Sequence, residues 1–89
     1  MEGVKTETSV KLTAVPGGES ASIREMAGGQ AFLSRLAPLG FVPGARLRMI
    51  QNSGRGPLIV IVRDARVALG RGEADKILVE PIARGSDDA

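Results

Sequence analysis

The chain has 89 residues, 43% of them hydrophobic and 25% charged, and carries a formal net charge of +2. That length holds one domain with a modest core, and the apolar content rules out disorder through its middle. With no Cys, His, Trp or Tyr, it cannot form disulfides, thiolate or imidazole zinc sites, or His-based acid/base centres.

Residues 1–7 and 83–89 read as flexible tails around a single domain spanning 8–82. The polar start of the chain has no apolar signal segment, and the longest strongly apolar run, Leu58 to Val62, is far short of the roughly 20 residues of a membrane helix. A soluble protein without direct membrane insertion is expected, and the lack of cysteine fits a reducing cytoplasm.

Val10 and Leu12 mark a short first strand, closed by the turn formers Pro16, Gly17 and Gly18. A second short strand runs through Ile23 and ends at Ala27 to Gly29. From Gln30 the apolar period becomes helical: Phe32, Leu33, Leu36 and Leu39 fall on one face. The spacing predicts one helix over about residues 30–39, loosened at its end by Pro38 and terminated by Gly40. A second turn follows at Val42 to Ala45, where Pro43 presets φ and Gly44 supplies the positive φ of a type II turn. Two turn signals thus hand the helix directly to a strand.

Beyond this corner the period is two. Ala45, Leu47 and Met49 point inward, while Arg46 and Arg48 point outward. Asn52 to Pro57 form a loop, Leu58 to Val62 a strand apolar on both faces, and "RDAR" a tight reversal into Val67 to Leu69. A polar or single helical turn leads to a closing strand through Ile77 and Val79. Five or six short strands in so few residues predict a small closed or nearly closed β-barrel, mainly β, with one helix inserted before the third strand.

Several stretches together carry a family likeness: Gly28 and Gly29 before Arg35 and Leu36, "LGFVPG" at Leu39 to Gly44, Gly56-Pro57 leading a strand, Val67 to Leu69, and "EADKILV" at Glu73 to Val79. In this order and spacing, over residues 8 to 80, the chain resembles the ferrous iron transport protein A family, FeoA. Pro38 departs from the pattern, standing where a non-proline helix former is expected. The resemblance implies an SH3-like barrel and a cytoplasmic accessory of bacterial ferrous iron uptake, held peripherally at the inner membrane by its partner. That partner would be the membrane ferrous iron transporter with a GTP-binding domain. The accessory would bind rather than catalyse, without a cofactor. Related SH3-like domains end some metal-dependent repressors, so the alternative is a module of such a regulator or of a nucleic-acid-associated protein.

Two candidate surfaces stand out. The first is the helix end and corner: Leu36, Leu39, Gly40, Phe41, Val42 and Pro43. The leucines can equally cap the core, and of the adjacent Phe41 and Val42 only one can point inward, leaving the other as an anchor for a partner. The second is a basic strip. Between residues 46 and 71, Arg46, Arg48, Arg55, Arg63, Arg66 and Arg71 stand against Asp64 alone, which favours an acidic partner or serves only to blunt the edges of a soluble barrel.

Other chemistries find little support. Phe32 and Phe41 are the only aromatics, too few for base stacking or a proline-peptide groove, so no strong nucleic-acid signal emerges. The carboxylates Asp64, Glu73, Asp75, Asp87 and Asp88 lack the spacing of an oxygen-ligand metal loop, and no metal site is expected. Gly28 and Gly29 lack the Lys-Ser/Thr of a phosphate loop. No nucleophile and base pair is singled out. Exposed strand edges leave pairing into homo-oligomers open.

Overall fold

The outward alternation in the third strand is the clearest link between sequence and architecture. In β3 (Arg46–Gln51), Leu47 and Met49 are buried while Arg46 and Arg48 face solvent. The computed structural model describes residues 9–82, and both expected tails lie outside that range. Six strands form one antiparallel sheet: β1 (Val10–Lys11), β2 (Ser20–Met26), β3, β4 (Leu58–Val62), β5 (Ala65–Leu69) and β6 (Ile77–Ile82). Their spatial order is β1-β6-β2-β3-β4-β5.

One face of this sheet makes the core. Leu12 beside β1 and Leu69 at the end of β5 belong to the same buried cluster as Ile23, Met49, Val60 and Val79, so the sheet curls until its two ends meet the same interior. The edges β1 and β5 do not pair with each other among the described residues; the barrel is nearly closed rather than sealed. Single extra residues, Arg24 in β2 and Ile50 in β3, interrupt the registers with β6 and β4, and such bulges add the twist that curling requires. β4 lies between β3 and β5, burying Leu58, Val60 and Val62 while half-covering Ile59 and Ile61 on the outer face. That position explains its doubly apolar sequence. The reversal into β5 is a two-residue turn with Arg63 and Asp64 at φ 51° and 72°, the left-handed geometry of a type I′ hairpin.

Two expectations need correction. The first strand stops at Lys11, because Leu12 opens a 3-10 turn, Leu12–Ala14, that drops its own side chain into the core. The helix is shorter than expected: α1 covers Gln30–Leu36, and a 3-10 turn, Ala37–Leu39, follows with Pro38 inside it. Leu39 closes that turn, immediately before Gly40 redirects the chain at φ +105°, and lies off the buried face. Leu36 is buried, Phe32 and Leu33 are half-buried, and Leu39 is 39% exposed.

The polar turn expected after β5 is α2 (Arg71–Ala74). The loop after β3 is more than a connector. The Asn52 amide donates to the carbonyls of Thr13 at 3.0 Å and Val15 at 2.8 Å, and its Oδ1 accepts from Arg71 Nη1 at 3.2 Å. One side chain thereby ties the 3-10 turn after β1, the loop after β3 and α2 together where the sheet has no ladder of its own.

Candidate docking surface

The corner is set by backbone geometry. Gly40 takes φ +105° and its N–H donates to the Ala37 carbonyl at 2.9 Å, ending the 3-10 turn in the left-handed conformation that a Cβ disfavours. The Ala45 N–H donates to the Val42 carbonyl at 3.0 Å with Gly44 at φ +93°, the expected type II turn. Gly44 N–H reaches the Ile23 carbonyl at 2.7 Å and Ile23 N–H the Ala45 carbonyl at 2.8 Å. The corner is therefore stitched to β2 and held rigidly.

This geometry sorts the six corner residues. Leu36 and Phe41 are each only 2% exposed and belong to the core, and Gly40 is buried as well. Leu39 and Pro43 are exposed, and Val42 is half-buried. Of the neighbours Phe41 and Val42, the aromatic ring takes the inward place, as the larger apolar group gains more from burial. Leu39 shares with Ile50 the distinction of being a large hydrophobic residue exposed to solvent among the described residues.

Corner and basic strip meet at Gly40. A Cβ built there would lie 2.8 Å from Val62 Cγ1 and 3.1 Å from Arg63 Cδ, so the corner abuts the β4–β5 turn. Arg46 and Arg48 project from β3, and Arg66 from β5, onto the outer face of the sheet. Register places Ile61 opposite Arg48 on one side and opposite Arg66 on the other, an apolar residue between two guanidinium groups. Arg55 is exposed in the loop after β3. Arg71 is separate from this face: it is half-buried and spent on Asn52 and on the Gly56 carbonyl at 3.3 Å.

The far side of α1 is structural. The Phe32 ring lies against Gly28, with Lys76 Nζ 5.3 Å from its centroid. Arg35 pairs with Glu73 of α2. The Arg35 hydrogen bond, and then the Gly70 N–H at 3.0 Å, hold the Glu73 carboxyl below the usual glutamate range. Asp75 accepts the Thr13 hydroxyl at 2.9 Å. Among the described residues, no three or more carboxylates gather into a metal-binding group, and no helix is long and apolar enough to cross a membrane. The clamping role of Asn52 leaves no mark in the sequence beyond its place in a loop between strands whose ends must be joined.

Comparison with known proteins identifies this architecture. The FeoA domain family matches residues 10–81. A protein of Methanocaldococcus jannaschii bearing the provisional name Fe(2+) transport protein A is 32% identical over 71 residues, covering 80% of this chain and 85% of that one. A crystal structure of the iron uptake regulatory protein FeoA superposes with a TM-score of 0.77 at 27% identity, over 83% of this chain and 99% of that one. The zinc-complexed FeoA of Stenotrophomonas maltophilia, described as an SH3-domain protein and a candidate activating factor of ferrous iron transport, gives 0.70 at 33% identity over 80% and 89%. A manganese-dependent transcriptional repressor also superposes, at 0.74, but with 24% identity over 42% of its length; that likeness is one of fold alone. With an SH3-like barrel matched from β1 to β6, this chain belongs to the FeoA domain family, associated with ferrous iron transport.

Proposed function

We propose that this chain is a cytoplasmic accessory of ferrous iron uptake that docks on the cytoplasmic part of a membrane ferrous iron transporter carrying a GTP-binding domain. The observation that carries this reading is the junction at Gly40, where exposed Leu39 and a rigid corner adjoin the β4–β5 turn of a basic sheet face. Leu39, Val42 and Pro43 supply the apolar anchor, and Arg46, Arg48, Arg63 and Arg66 the charge that steers an acidic surface into place. Arg55 extends that strip into the loop. Leu36, Gly40 and Phe41 take part as scaffold, since their burial keeps them from touching a partner. An accessory of this kind acts by binding one transporter conformation more tightly than another, because a ligand shifts an equilibrium only through such a difference.

The reading is tested by titrating the purified chain into detergent-solubilised transporter. Saturable binding that weakens with salt, and is lost in Leu39→Asp while the variant stays folded, is the expected result. Binding unaffected by that substitution would assign the contact to another surface.

A further inference from the structure

We propose that the open edge of β5 is a strand-addition site for an extended acidic segment of a partner protein. This inference rests on the docking role proposed above and names the chemistry that the basic face would select.

The edge is available because of the hairpin. Val62 and Ala65 flank the two-residue type I′ turn and form its hydrogen-bonded pair, as such turns require. Antiparallel pairing alternates, so Val60 with Val67 and Leu58 with Leu69 are also hydrogen-bonded pairs, while Arg66 and Ala68 fall opposite Ile61 and Ile59 at the intervening positions. The N–H and C=O groups of Arg66 and Ala68 therefore turn away from β4. β5 ends the sheet, and no bond from these groups to another element occurs among the described residues. Arg66 and Ala68 are exposed, and Ala65 and Val67 only half-buried, which is how an uncovered edge looks from both faces.

Charge chooses the occupant. A strand laid along β5 would set its outward side chains beside Arg66, with Arg48 two strands further across the same row and Arg63 at the turn end. Acidic side chains at alternate positions complement that row, and apolar ones between them cover Val67. A second copy pairing through β5 would instead bring two basic faces together, a like-charge arrangement that charged edge residues serve to prevent. The turn end of β5 abuts the Leu39 corner through Val62 and Arg63, so one segment can use both features.

The probe is a short soluble peptide alternating glutamate with valine, compared with one alternating lysine with valine. The glutamate peptide is expected to bind, to slow hydrogen exchange of the Arg66 and Ala68 amides, and to weaken with salt; the lysine peptide is expected not to bind. Arg66→Glu should lower affinity by at least about tenfold. Ala68→Pro removes an outward N–H without touching the β4 ladder, as proline is tolerated at sheet edges, and should do the same. If that variant fails to fold, an N-methylated glutamate peptide removes partner donors while leaving the chain intact, and it should not bind. Equal binding of both peptides, unchanged exchange at Arg66 and Ala68, or self-association that protects these amides would overturn the proposal. Failure here with the transporter still bound would leave the accessory role standing. Peptide binding without transporter binding would separate the two in the other direction.

Discussion

Gly40 lies so close to Val62 that a Cβ at position 40 would stand 2.8 Å from Val62 Cγ1. The corner is thus locked against the inner strand β4 both by contact and by the left-handed φ of +105°. Gly40→Ala should destabilise the fold by about 1–3 kcal/mol. Denaturant titration would show a lowered midpoint with an unchanged slope; an unshifted midpoint would mean that the corner can move away from β4.

Phe41 and Leu39, two residues apart, should respond in opposite ways. Phe41 is only 2% exposed and Leu39 39%. Phe41→Ala should cost about 3–5 kcal/mol, a large part of the 5–15 kcal/mol typical of a native protein. Leu39→Ala should leave stability within about 0.5 kcal/mol. Thermal melts of the two variants decide whether the corner residues divide into scaffold and surface as described.

Most of the architecture was legible in the chain because its signals were local. Alternation around Arg46 and Arg48 located β3, and Gly40, Pro43 and Gly44 located the corner. The loosening of the helix at Pro38 was legible too, but not the exposure of Leu39, which fits the helical spacing of Phe32 and Leu36 and yet stands at the point where Gly40 turns the chain away. The clamp made by Asn52 was hidden for a different reason: its partners Thr13 and Val15 lie 39 and 37 residues away, and only the curl of the sheet brings them together. The meeting of corner and basic strip is likewise a product of the register between β3, β4 and β5.

Asn52 should therefore matter more than a loop residue normally does. Asn52→Asp keeps the acceptor but loses both amide donations to Thr13 and Val15, and should destabilise by about 1–3 kcal/mol. Hydrogen exchange around Leu12–Ala14 should accelerate in that variant before the rest of the sheet responds.

The Arg35–Glu73 pair gives a pH signature. Because the folded Glu73 carboxyl titrates below its usual range, its contribution is complete above the unfolded value of about 4.3 and disappears as pH falls through the lower folded value. Wild type should thus lose slightly more stability than Glu73→Gln on acidification below about pH 4.3. With side chains 57% and 35% exposed, the difference should stay under about 1 kcal/mol. Parallel melts across that interval would show the two curves converging.

The type I′ turn at Arg63 and Asp64 leaves room for improvement. Asp64 sits at φ 72°, where glycine is favoured, so Asp64→Gly should stabilise by up to about 1 kcal/mol. A lowered melting temperature would indicate that the Asp64 side chain makes a compensating contact.

Affinity capture of the tagged chain from a membrane extract, at low and moderate salt, tests the docking role most directly. Recovery of the ferrous iron transporter is expected, reduced by salt and abolished by Leu39→Asp or by joint Arg46→Glu and Arg48→Glu. Recovery of nucleic acid or a soluble regulator in its place, or of the transporter equally by all three proteins, would contradict it.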